Sequence, residues 1–124
     1  MNPKYSLSQR LNAFDQLAVA RKLSPALPLM KAVVDKDNAG KPKDVLIIMA
    51  LGMLSDESSS FIVNKCLSVV TITNNDGSIA KLMINGNLMF DSVTLTDITE
   101  ITAAVIEDNL GDFLSTALHD MPAI

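Results

Sequence analysis

Val70-Thr71-Ile72-Thr73-Asn74-Asn75-Asp76-Gly77-Ser78-Ile79-Ala80-Lys81-Leu82-Met83-Ile84-Asn85-Gly86-Asn87-Leu88-Met89-Phe90 is where the apolar period of this chain changes. Val70 to Thr73 and Ile79 to Ile84 have strand character, and Asn74 to Ser78 between them is rich in turn formers. Asn85-Gly86 is the strongest two-residue hairpin signal in the sequence, with Leu88-Met89-Phe90 following as a short third strand. On either side the apolar residues recur at helical spacing. The fold class is therefore α+β: mainly helical, four to five helices, with a small antiparallel β-hairpin or meander before the last helix, in a single domain over residues 1–124.

Upstream, Leu7, Leu11, Phe14 and Ala18 lie on one helical face with Leu17 beside them. Ser24-Pro25 stops that helix and restarts another, because the fixed φ of proline suits a first helical position after a Ser cap. The second helix runs to about Val34, with Leu27, Met30, Val33 and Val34 inward, and Asp35 to Lys43 reads as a loop containing Gly40 and Pro42. Val45 to Leu54 is apolar nearly all round, interrupted only by Gly52, which predicts a helix buried on every side at the centre of the fold. Ser55-Asp56-Glu57 is a helix start, and the helix it opens turns Phe61, Ile62, Cys66 and Leu67 inward and ends near Val70. Downstream, Thr96 or Asp97 caps a last helix whose stripe is Ile98, Ile101, Val105, Phe113 and Ala117, flanked by Ile106 and Leu110. Gly111 is a place for a bend or an early end.

Composition narrows the function classes. Hydrophobic residues make up 48% of the chain and aromatics 4%, with no Trp, so the core is aliphatic and offers few rigid anchors for a small-molecule pocket. Mean hydropathy is +0.29 with 19% charged residues. That leaves two readings open, an unusually complete core or an apolar patch covered by a partner. The formal net charge is −4, and after Lys81 there is no Lys or Arg, while Asp91, Asp97, Glu100, Glu107, Asp108, Asp112 and Asp120 all follow. A nucleic-acid surface needs clustered cations, so none is expected in the second half. The lone Cys66 excludes an internal disulfide framework and suits a reducing compartment. The start lacks a basic-then-apolar signal pattern, and Val45 to Leu54 is only about half a membrane span. A cytosolic protein without membrane contact is the expectation.

A search for chemistry returns no catalytic residue, no metal ligand set and no cofactor site. The single His119 stands in a terminal stretch and cannot complete a zinc set with one distant Cys. Cys66 falls on an apolar helix face, where a buried thiol is inert. Asp56-Glu57 and Glu107-Asp108 are adjacent pairs that diverge by about 100° on a helix, so neither converges on a substrate. Asn74-Asn75-Asp76-Gly77 lacks the recurring acids of a calcium loop, and the glycines stand too far apart for a phosphate cradle. The chain does not read as an enzyme. Of its seven methionines, Met49 and Met53 read as core filler in the buried helix, while Met83 and Met89 in the meander are candidates to face a partner.

Three segments carry a family resemblance: Phe14 to Pro28 (FDQLAVARKLSPALP), Asn85 to Asp91 (NGNLMFD) and Glu107 to Phe113 (EDNLGDF). Together they resemble the small tail assembly chaperones of long-tailed bacteriophages and prophages, over Phe14 to Phe113. Between Asp91 and Asp97 the match is not made, which leaves the start of the last helix open. The resemblance implies a non-catalytic helper that binds and solubilises the tape measure protein, a long, largely helical and aggregation-prone chain, while tail tube subunits assemble around it. It implies action in the cytoplasm of the bacterial host and absence from the mature virion. Related systems also make a longer product by programmed frameshifting. Homo-oligomer formation does not transfer within the family and stays open here. Within the matched segments, Arg21 and Lys22 are candidates to contact a partner or to pair with Asp15, against a solvated helix end. The alternative function is a structural minor tail protein retained in the virion.

Overall fold

A computed structural model describes residues 1–31 and 43–120. The elements in order are β1 (Tyr5–Leu7), α1 (Ala13–Leu23), a 3-10 turn (Ser24–Ala26), α2 (residues 27–31), α3 (Lys43–Met53), α4 (Asp56–Leu67), β2 (Val70–Thr73), β3 (Ile79–Lys81), β4 (Met83–Ile84), β5 (Asn87–Leu88) and α5 (Leu95–Asp120). The chain is α+β and mainly helical, with small antiparallel sheets preceding the last helix, as the change of period predicts.

The meander forms where expected but is built differently. Its first sheet has the order β1-β2-β3, and the two-stranded β4-β5 hairpin stands apart from it. The apolar run Ile79 to Ile84 breaks at Leu82, which is fully buried. The Leu82 amide donates to the Val70 carbonyl at 3.1 Å, while its own carbonyl accepts from the Met89 amide at 3.0 Å. One residue thus serves both sheets and cannot continue a single straight strand. At the hairpin tip Asn85 and Gly86 have φ of 51° and 78°, the left-handed pair that a tight two-residue turn requires. In the longer turn, Asp76 Oδ1 accepts from the Ser78 amide and hydroxyl at 2.9 and 2.6 Å. These bonds, the hydroxyl's first, hold the Asp76 carboxyl below the usual carboxylate range.

The N-terminus corrects the helical reading of Leu7. Residues Tyr5 to Leu7 form a strand paired with β2 in the register Tyr5↔Ile72 and Leu7↔Val70. Helix α1 starts six residues later, where Asn12 Oδ1 accepts from the Asp15 amide at 2.8 Å. The four-residue step from Leu7 to Leu11 fits a helix by accident. Its true partner strand lies more than sixty residues away, and no local period reports that. Phe14, read as inward, points to solvent at 85% exposure, and Val19 and Leu23 hold the buried side of α1. The chain tightens into the 3-10 turn at Ser24, with Met30 buried after it, but Ser24 is no cap: its backbone stays helical and its hydroxyl donates to the Arg21 carbonyl at 2.8 Å. Val33, Val34 and the loop to Pro42 lie outside the described residues.

The centre of the fold is also corrected. Five of the six residues from Ile101 to Ile106 in α5 are buried, so this stretch, not α3, is enclosed. Helix α5 packs along α3 and α4, and α1 packs on α4. In α3, Leu46, Ile47 and Ala50 are buried, whereas Val45, Ile48, Met49 and Met53 are exposed. The start of α5 is fixed two or three residues before the expected caps, by a reciprocal pair. The Asp97 amide donates to Thr94 Oγ1 at 3.1 Å and the Thr94 amide donates to Asp97 Oδ2 at 3.2 Å. Gly111 does not end the helix. It is buried, and the Glu107 carboxylate lies 3.0 Å from where its Cβ would be. Phe113, expected in the core stripe, is exposed.

Two side-chain contacts strap the N-terminal segment to α5. Asn109 Oδ1 accepts from the Leu11 amide at 2.9 Å and from Gln16 Nε2 at 3.2 Å, while Asn109 Nδ2 donates to the Val105 carbonyl at 2.8 Å. The buried Tyr5 hydroxyl donates to Asp97 Oδ2 at 2.9 Å. Asn109→Ala leaves the Leu11 amide without its acceptor and is expected to lower stability by about 1–3 kcal/mol in chemical denaturation. Burial, followed by the Asp97 contact, pushes the Tyr5 hydroxyl up to about 12 from its ordinary value of 10.0. Between those pH values the unfolded chain releases the proton and the folded chain keeps it, so stability falls as pH rises through that window. Asp97, held low by the Thr94 amide and then by Tyr5, contributes stability that is lost as pH falls below the ordinary carboxylate range. Tyr5→Phe is expected to reduce the alkaline fall in a melting series, leaving the share that the buried Cys66 thiol contributes, and to weaken the acid one.

Candidate functional site

The described residues include the side chains weighed for chemistry in the sequence. They contain no group of three His, Cys, Asp or Glu side chains placed to hold a metal ion. Burial pushes the Cys66 thiol up to about 12, so it stays protonated and unreactive. His119 is exposed at the end of α5, its Nδ1 3.2 Å from Asp120 Oδ1. Asp56 and Glu57 stand exposed in the first turn of α4, after a Ser55 hydroxyl that accepts from the Ser58 amide at 3.1 Å. No helix among the described residues is long and apolar enough to cross a membrane.

What the structure does present is apolar surface, in three places. The first is α3, where Val45, Ile48, Met49, Gly52 and Met53 follow one another at i, i+3, i+4, i+7 and i+8 along its outward face, Met53 being 61% exposed. The two methionines read as core filler therefore belong to the surface. The second is α1, on which Phe14, Leu17 and Arg21 are exposed, followed by exposed Pro25 and Pro28. The third is the β4-β5 hairpin, where Ile84, Leu88 and Met89 are exposed.

The residues singled out from sequence fall on both sides of the surface. Met89 is 49% exposed, but Met83 is 8% exposed and belongs to the core, opposite Leu88 in the hairpin. Arg21 is exposed and makes no ion pair among the described residues. Lys22 is half-buried, with Nζ 5.4 Å from the centre of the Phe61 ring, a distance at which a cation is held over the ring face. Asp15 pairs with Lys65 at 3.3 Å, not with Arg21 or Lys22, and Lys65 also approaches the Phe61 ring at 5.8 Å. Of the four, Arg21 and Met89 are exposed, Lys22 is half-buried and Met83 is buried.

The α3 stripe was missed because an uncharged run such as Val45 to Leu54 reads the same whether it is enclosed or waits for a partner. Its one signal was Gly52, a poor helix former that neither caps nor breaks α3. No curated protein and no solved structure matches the chain. A family model described as phage tail assembly chaperone protein, TAC, does match it, over residues 5–122. That range takes in β1, the outward faces of α1 and α3, the hairpin and all of α5, so the chain belongs to the phage tail assembly chaperone family.

Proposed function

We propose that this chain is a non-catalytic assembly factor that binds the tape measure protein of its tail and keeps it soluble. It acts in the cytoplasm of the bacterial host while tail tube protein assembles, and it is absent from the mature virion. The observation that carries this reading is the uncharged outward face of α3 in a member of the tail assembly chaperone family. An assembly chaperone must cover the apolar surface of a client reversibly. Flexible methionine side chains such as Met49, Met53 and Met89 adapt to more than one apolar shape, which suits that task. Arg21, exposed beside Phe14 and Leu17, supplies a cation at the rim of a second apolar face.

Co-expression with the tape measure protein of the same genome, followed by size-exclusion chromatography of the soluble fraction, tests the reading. The expected result is a several-fold rise in soluble tape measure protein, co-eluting with this chain, and no trace of the chain in purified virions by mass spectrometry. A client that stays insoluble while this chain elutes alone, or a chain recovered from virions, overturns the reading in favour of a structural minor tail protein.

A further inference from the structure

The outward face of α3 has a shape and an electrostatic boundary that together specify what fits it. Val45, Ile48, Met49 and Gly52 occupy the i, i+3, i+4 and i+7 corners of the diamond that receives a side chain from a facing helix. One corner is empty, since nothing lies within 4 Å of the position a Cβ on Gly52 would take. At that corner a facing helix can bring a side chain close to the backbone of α3. No residue from Val45 to Leu54 is charged.

Charge appears where the stripe ends. Asp56 and Glu57 are exposed just past Met53 and form no ion pair among the described residues. Helix α5, packed along α3, carries no Lys or Arg. The one cation of α4, Lys65, lies in its last turn and is engaged by Asp15. Nothing on those two helices neutralises the acidic end of the stripe.

We infer that the α3 face is a docking groove for an amphipathic helix that seats a large apolar side chain over Gly52 and places Lys or Arg against Asp56 and Glu57. The inference deepens the proposed function and rests on it in one respect: the docking helix belongs to the client. The apolar contact supplies the affinity, and the carboxylates set the direction in which the helix lies, because opposite charge at one end disfavours the reversed pairing. The eleven residues of α3 span about 16 Å, so the groove reads about three turns of its partner.

The test uses the full chain and two synthetic helical peptides with Leu at every a and d heptad position, one flanked by Lys and the other by Glu. Fluorescence anisotropy is expected to give tighter binding of the Lys-flanked peptide, with an advantage that shrinks as salt is raised. Gly52→Phe fills the empty corner and is expected to weaken binding by about tenfold or more, while its melting temperature reports an intact fold. Asp56→Asn with Glu57→Gln is expected to erase the preference between the two peptides without abolishing binding. Equal binding of both peptides by the native chain, or unchanged binding by Gly52→Phe, overturns the inference. A native dimer that Gly52→Phe converts to monomer also overturns it, by assigning the stripe to a second copy. Co-expression separates this result from the function itself. If Gly52→Phe still solubilises the tape measure protein as the native chain does, the groove is wrong and the chaperone reading stands. If the native chain fails to solubilise it yet discriminates the peptides as described, the groove stands and the client is a different helix.

Discussion

Enclosure of the middle of α5 is the constraint on which the rest of the structure depends. A stretch in which Ile101, Thr102, Ala103, Val105 and Ile106 are all buried must be covered on every side. Helices α3 and α4 cover it, and the N-terminal segment closes over it through Asn109 and Asp97. Each covering element needs only one apolar face for that work. Helix α1 uses Val19 and Leu23, α4 uses Ile62, Cys66 and Leu67, and α3 uses Leu46, Ile47 and Ala50. For α1 and α4 the remaining faces include the charged residues that water favours. In α3 no residue from Val45 onward is charged, and the surplus apolar surface follows from the sequence having no charge to place along that run.

The parts of the fold that were legible in the sequence are those set by local chemistry. Asn85-Gly86 specifies a tight turn because both positions must take positive φ, and they do. Ser55 specifies a helix start because its hydroxyl reaches the amide of Ser58 three residues on. The illegible parts are those set by distant partners. Strand β1 exists only because β2 offers it an edge, and its two apolar residues, Tyr5 and Leu7, are too few to establish a period of two. The cap of α5 at Thr94 was passed over for Thr96 or Asp97, three polar residues within one turn that local sequence cannot rank. Tyr5 ranks them, since its hydroxyl reaches Asp97 and so favours the arrangement in which that carboxylate also closes the helix start.

The interaction surface was half legible for the same reason. Excess hydropathy announced that apolar area was left over, but which residues carry it depends on which helix takes the centre. Sequence periodicity assigned the centre to the helix with the fewest charges, α3. The structure assigns it to the longer α5, whose acids stand mostly on the exposed side or near its start. Once that exchange is made, Met49 and Met53 move from core to surface and Phe113 leaves the core stripe.

The three segments that carry the family resemblance divide by the same logic into scaffold and surface. In Glu107 to Phe113, Asn109 anchors α1, and Gly111 admits the Glu107 carboxylate into a space that any side chain would fill. In Asn85 to Asp91 the turn positions set the hairpin, and Met89 is left outward. In Phe14 to Pro28 the order is reversed. Phe14, Leu17, Arg21, Pro25 and Pro28 are all exposed, and the buried residues between them hold the helix in place. An 85% exposed phenylalanine contributes nothing to the core, so neither helix propensity nor packing within this chain explains its presence. Of the three segments, Phe14 to Pro28 is thus the one with the most apolar side chains facing outward, on a helix packed against α4 and α5.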